Sequence, residues 1–208
     1  MRRPELLPFQ DIPRAIPGAQ VYLVGGSVRD FLLGGRSKDL DLVVTGATAE
    51  ALEDYLKSQN GARVIFAGAT FPVFKFQASP HLPEIDVALA RTERSTGGGS
   101  LQDFITSYDP RVKIEADLSR RDFTWNAIAI NLSNGKIIDE YHGLQDLRRG
   151  VVRTVGSAMD RFTEDRTRAL RALRFSLKLN FSIDQETWDA VKAYASRFNE
   201  MSAQDEFI

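Results

Sequence analysis

The chain has 208 residues, 43% of them hydrophobic, enough for one substantial core or a core with a small appendage. Lysine and arginine (27) nearly balance aspartate and glutamate (28), leaving a formal charge of −1, so no global field attracts a polyanion and any basic surface is local. There is no cysteine, which excludes disulfides and thiolate metal sites and fits a reducing cytoplasm. The opening MRRPELLPFQDIPRAIPG is broken by four prolines and holds no apolar run. It reads as an N-terminal arm over residues 1–20, extended, and neither a signal peptide nor a membrane span.

Residues 21–44 read VYLVGGSVRDFLLGGRSKDLDLVV. The apolar run Val21 to Val24 predicts a strand that enters Gly25-Gly26-Ser27 and then a short amphipathic helix. Paired glycines let backbone come close to a ligand, and free N–H groups at a helix start favour phosphate. Arg29 adds a cation there. Past a Gly34-Gly35 turn, a second strand carries Asp39 and Asp41, two residues apart and hence on one side, with Leu40, Leu42 and Val44 opposite. Two adjacent carboxylates repel unless a cation lies between them, and hard oxygen ligands suit Mg²⁺. An anion cradle beside a metal-holding pair is a kit for phosphoryl or nucleotidyl transfer. GGSVRD followed by DLD resembles the active-site signature of the class II tRNA nucleotidyltransferase (CCA-adding) and bacterial poly(A) polymerase family, in the polymerase-β-like nucleotidyltransferase superfamily. The resemblance implies an α+β head, a mixed sheet with flanking helices, followed by the start of an all-helical neck.

Farther along, Ala47 to Gln59 predicts a helix capped by Thr48, with Ala51, Leu52, Tyr55 and Leu56 inward. Arg63 to Ala67 and Phe71 to Gln77 predict a strand pair, with Phe71, Val73 and Lys75 alternating against Phe74 and Phe76. In Glu84 to Leu89, Ile85, Val87 and Leu89 alternate with Glu84 and Asp86. Asp86 is either a third metal carboxylate beside Asp39 and Asp41 or a solvent-facing acidic edge. Arg91 to Ser107, with Gly97-Gly98-Gly99, lacks periodicity and reads as a long loop. DVALARTER resembles the family's stretch after a catalytic-sheet strand, whose following loop is expected to move.

RRDFTWNA (Arg120 to Ala127) sets two arginines beside a carboxylate and an amide. It resembles the family's RRDxxxNA motif, which implies ribose-side roles for Asp122 and Asn126 and a phosphate-side role for Arg121. Asn134-Gly135 between apolar runs predicts a β-hairpin. DEYHGLQDLRRG resembles the family's connector between head and neck, with Glu140 where relatives commonly carry proline. The two histidines, His81 and His142, supply no metal or nucleophile arrangement.

Thr163 to Leu179 predicts one helix capped by Thr163, with Ala169, Leu170, Leu173 and Leu177 on one side and Arg168, Arg171, Arg174 and Lys178 on the other. Asp165 and Arg168 are helix neighbours. An aspartate accepting from an exocyclic amine while an arginine donates to a ring nitrogen fits cytosine or adenine, not guanine or uracil. EDRTRALRALRF is similar to the family's EDxxRxLRxxRF motif, which implies that Asp165 and Arg168 act as the amino-acid template and that Arg171 and Arg174 support the triphosphate or that pair. Asp184 opens a further helix with Trp188, Val191, Ala195 and Phe198 at packing positions.

The expected organisation is an arm (1–20), a nucleotidyltransferase head (21–150) and the start of a helical neck (151–208), with the chain a truncated part of a longer protein. The resemblance implies a cytoplasmic, Mg²⁺-dependent enzyme that adds CMP and AMP from CTP and ATP to the 3′ end of tRNA or another RNA, releasing pyrophosphate, with no membrane partner. Poly(A) tailing, CC-adding or A-adding activity, and a non-catalytic nucleotide- or RNA-binding module, remain alternatives. FAGATFPVF (Phe66 to Phe74) looks more like the CCA-adding members.

Overall fold

Alternating apolar positions between residues 20 and 89 build the sheet that carries the first group of expected site residues. The computed structural model describes residues 4–37, 39–59, 62–66, 72–97 and 104–195. Phe71, Phe198, most of Phe66 to Phe74, and Gly98 and Gly99 of the glycine run lie outside them. Contacts divide the chain into one unit of Met1–Thr92, Thr106–Leu118 and Ile128–Asp139, and a second of Glu93–Ile105, Ser119–Ala127 and Glu140–Ile208.

The first unit begins with a 3-10 turn, Pro4–Leu6, then α1 (Leu7–Gln10) and α2 (Ile12–Ala15). These turns correct the extended reading of the arm. Each short helix has a proline in its first turn, where the missing N–H costs nothing. Phe9 and Ile12 are fully buried, and the Phe9 ring meets Phe76 edge-on at 5.0 Å. Next come β1 (Gln20–Val24), α3 (Gly25–Leu32), β2 (Leu40–Thr45) and α4 (Ala49–Ser58). Thr48 caps α4 as expected, its hydroxyl accepting from the N–H of Ala51 at 3.2 Å. β3 (Arg63–Phe66), β4 (Val73–Gln77) and β5 (Ile85–Leu89) follow. β6 (Arg91–Ser95) pairs with β7 (Phe104–Tyr108), with Glu93–Ser95 and Phe104–Ile105 of these strands belonging to the second unit, so strands occupy much of the stretch expected as a loop. α5 (Ile114–Ser119), β8 (Ala129–Asn131) and β9 (Ile137–Ile138) complete this part, the last two joined by the expected turn with Gly135 at φ +72°.

Seven strands form one mixed sheet in the order β3-β4-β5-β2-β1-β8-β9. β2 and β5 run parallel, and the other neighbours are antiparallel. Leu40, Leu42 and Val44 are buried on the face expected for them, as are Phe74, Phe76, Ile85 and Val87 on theirs. Gly46, just past β2, has φ +72°, and a Cβ there would lie 2.1 Å from the carbonyl oxygen of Gly18. Gly46→Ala is therefore expected to cost about 2 kcal/mol or more of stability, read as a lowered thermal midpoint.

In the second unit, Thr124–Asn126 is a 3-10 turn, and α6 (Gly143–Arg149) runs into β10 (Val151–Val152). α7 (Ala158–Glu164), α8 (Thr167–Leu179), β11 (Ser182–Ile183) and α9 (Gln185–Ala195) follow, with β10 and β11 parallel. The single helix expected from Thr163 is thus two. Ser157 caps α7, and the Thr163 hydroxyl instead donates to the carbonyl of Met159. The buried side of α8 is Thr167, Arg168, Ala169, Ala172 and Phe175, while Leu177 is 84% exposed. On α9, Thr187, Ala190, Val191 and Tyr194 are buried, whereas Trp188 is 40% exposed and Ala195 is exposed. No helix among the described residues is long and apolar enough to cross a membrane.

Candidate active site

In the first unit, strand register assembles the expected cradle and carboxylates at one end of the sheet. Val24, the last residue of β1, pairs with Asp41, and Asp41 pairs on its other side with Asp86 of β5. α3 starts at Gly25, directly after Val24. Gly25 has φ +67°, a conformation that favours glycine. A Cβ on Gly26 would stand 3.3 Å from Nη2 of Arg29, so its absence leaves room for the guanidinium over the first turn of the helix. Arg29 is buried and donates to Oδ1 of Asp30 from Nε at 2.8 Å. Asp39 is exposed just ahead of β2, and its carbonyl accepts from the Ser37 hydroxyl at 2.7 Å. The strand expected to carry both carboxylates begins only at Leu40, so Asp39 sits in the bend before it, whereas Asp41, next to the buried Leu40 within β2, is directed by strand geometry away from that side of the core.

Asp86 stands beside Asp41 but is tied elsewhere. Lys75, its partner on β4, donates to Asp86 and to Glu84, each at 3.0 Å. Hydrogen bonds to Glu84 and then Asp86 raise the Lys75 ammonium above its ordinary value. Among the described residues, no three His, Cys, Asp or Glu side chains form a group that could hold a metal ion. The donor chemistry that fits Mg²⁺ is that of the Asp39 and Asp41 pair, all hard oxygen. Lys75 was not singled out in the sequence; its place across from Asp86 follows from register alone.

In the second unit, Asp122 is the hub of the RRDFTWNA stretch. Its Oδ1 accepts from the N–H of Phe123 at 2.8 Å and from Nδ2 of Asn126 at 3.0 Å. Its Oδ2 accepts from Nε and Nη2 of Arg171 at 3.0 and 2.6 Å. Burial pushes the carboxyl up, but the charge of Arg171 and these hydrogen bonds outweigh it and hold the group below the ordinary carboxylate range. The structure thus brings Asp122, Asn126 and Arg171 together. Arg121 joins them through a 3.4 Å bond from Nη1 to the carbonyl of Asn126. The guanidinium of Arg174, on the exposed side of α8, lies 5.2 Å from the Phe175 ring centroid.

Asp165 and Arg168 meet at the break between α7 and α8. Asp165 ends α7 with extended backbone, at φ −151° and ψ 106°. Its Oδ1 accepts from the N–H and hydroxyl of Thr167 at 2.9 and 2.6 Å, while Oδ2 lies 3.7 Å from Nε of Arg168. Arg168, expected on an outer basic face, is only 7% exposed. Its Nη1 donates to Oε2 of Glu164 at 2.9 Å, its Nη2 to the carbonyl of Arg120 at 3.1 Å, and its guanidinium lies 5.9 Å from the Phe104 ring centroid. Glu164 and Thr167 lie inside the single helix expected from Thr163 to Leu179, and the signal that could have marked them is their spacing around Asp165 and Arg168.

The chain matches the poly A polymerase head domain family over residues 21–153. It is 43% identical over 180 residues to the Multifunctional CCA protein of Stenotrophomonas maltophilia (strain R551-3), covering 85% of this chain and 41% of that one. Among solved structures it resembles the Bacillus stearothermophilus CCA-adding enzyme in complex with CTP, at a TM-score of 0.72 and 31% identity, covering 97% of this chain and 46% of that one. It also resembles a complex of a CCA-adding enzyme with ATP, at a TM-score of 0.74 and 31% identity, covering 97% and 43%. The chain therefore spans less than half the length of these relatives.

Proposed function

The chain belongs to the poly A polymerase head domain family, and from that premise we propose that it is the nucleotidyltransferase portion of an enzyme that adds CMP and AMP from CTP and ATP to the 3′ end of tRNA. The observation that carries this reading is the register of β1 against β2. With Val24 facing Asp41, the strand that launches the Gly25-Gly26 helix start ends beside the carboxylate pair.

The roles follow from the chemistry of the side chains. The first N–H groups of α3 have no acceptor within the helix, and together with Arg29 they form a cradle for the triphosphate. Asp39 and Asp41 hold Mg²⁺, whose chemistry when bound is activation of the RNA 3′-hydroxyl and neutralisation of charge on the departing pyrophosphate. The 3′-hydroxyl gives up its proton to solvent and its oxygen bonds to the α-phosphorus, while the bond from that phosphorus to the oxygen bridging to the β-phosphate breaks and pyrophosphate leaves. Asp86 is held by Lys75 and becomes a third ligand only if that ion pair opens. Arg121, Asp122 and Asn126 line the phosphate and ribose, with Arg171 fixing Asp122 and Arg174 adding positive charge. Asp165 accepts from the exocyclic amine of cytosine or adenine, and Arg168 donates to the adjacent ring nitrogen. Residues 21–150 act as the head and 151–208 as the start of a helical neck. A tRNA substrate fits a cytoplasmic enzyme.

Nucleotide preference tests this reading. Titrating the chain with CTP, ATP, GTP and UTP in the presence of Mg²⁺ is expected to give binding of CTP and ATP at least about tenfold tighter than of GTP or UTP, the weight of one charged hydrogen bond. Preference for GTP or UTP removes Asp165 and Arg168 from base selection.

A further inference from the structure

We propose that Thr167 is a positioning residue for base selection, its hydroxyl locking the Asp165 carboxylate in the one orientation that offers Oδ2 beside Arg168. The inference rests on the base-reading role given above to Asp165 and Arg168. A carboxylate turns about its last torsion in a broad, roughly two-fold well, so the plane of its two equivalent oxygens tilts freely unless something holds one of them. Here both donors that hold Oδ1 come from Thr167, the backbone N–H at 2.9 Å and the hydroxyl at 2.6 Å. Asp165 is 3% exposed and Thr167 5%, so water is a poor substitute for the missing donor. Oδ2 lies 3.7 Å from Nε of Arg168, close enough to share one ligand edge and too long for a direct hydrogen bond.

The partner group is fixed as firmly. Arg168 is held by the Glu164 carboxylate and the Arg120 carbonyl. An acceptor and a donor, each anchored from behind, present a spacing set by the protein and not by the ligand. Discrimination between an amine beside a ring acceptor and a carbonyl beside a ring N–H needs that spacing, because a freely turning carboxylate relaxes toward either edge. The backbone N–H of Thr167 survives any substitution except proline, so the hydroxyl is the separable part of the lock.

The test compares T167V with T167S in the chain, reading the ratio of CTP to UTP affinity by calorimetric titration with Mg²⁺, with a thermal melt as a check on folding. T167V is expected to weaken CTP about tenfold, the loss of one hydrogen bond to a charged group, while UTP changes little, and T167S is expected to restore the ratio. T167A against T167S makes the same comparison if valine prevents folding. A T167V chain that keeps the parent ratio overturns the proposal, as does a T167S chain that fails to restore it, which would assign Thr167 to packing. D165A separates the two levels. If D165A keeps the CTP preference, base reading by Asp165 fails and the role of Thr167 with it. If D165A loses the preference while T167V retains it, only the Thr167 assignment fails.

Discussion

Replacing Asp41 with alanine is expected, under the proposed function and metal-holding role, to reduce incorporation of CMP onto a tRNA lacking its CCA end by about a thousandfold or more, since a carboxylate in that role would support several kcal/mol of transition-state charge. The position is specific. Asp41 is held in the sheet between Val24 and Asp86 by backbone register, so removing its side chain leaves the strand pairing in place. Asp41 is half-buried and Asp39 exposed, so neither side chain carries much of the core. D41A is accordingly expected to melt close to the parent, and D39A to behave in the same way. Asp86→Ala gives the contrast. If Asp86 serves mainly as the partner of Lys75, its loss costs far less activity than that of Asp41. Incorporation that survives D39A and D41A together ends the two-carboxylate assignment.

The largest expected effect on stability lies elsewhere, at Asp122. D122A is expected to destabilise the second unit by about 4 kcal/mol in urea unfolding, because it strands the Arg171 guanidinium against a partly buried site and removes the acceptor for Asn126 and for the N–H of Phe123. The folded carboxyl is held below its ordinary value. Its stabilising contribution is therefore complete above the unfolded value of about 3.9 and is lost as pH falls through the lower folded value. The gap between parent and D122A should be constant above about pH 5 and narrow below about pH 4. A gap that stays constant down to pH 2 would falsify the ion pair as its source.

The strand faces were legible because alternation is read one residue at a time: Leu40, Leu42 and Val44 are buried where period two puts them. The α8 face was not, because its phase depends on where the helix begins. The break at Asp165 starts α8 afresh at Thr167, and its inner side is set by Ala169, Ala172 and Phe175. Phe175 is drawn in by Trp125 and Phe123, whose rings lie 4.9 and 5.7 Å away. Leu177 then has no place in that packing, and Arg168 is buried because Glu164 and the Arg120 carbonyl satisfy it. The N-terminal turns were missed for a different reason. Four-residue helices have too few positions to show a period, and their prolines mark a helix start as readily as an extended arm.

The pairing of β1 has a consequence for how the chain is made. One edge of β1 is filled by β2, the next strand to be synthesised, but the other waits for Ala129–Asn131 of β8. During translation the strand that launches the glycine pair stays open along that edge until Ser119–Ala127, a segment counted with the second unit, has also emerged. An unpaired edge is a template for other chains, and long-range pairing closes slowly. That open edge exposes the nascent chain to aggregation in the interval before β8 docks, and substitutions that delay β8 are expected to lower the yield of folded protein while leaving the finished fold unchanged.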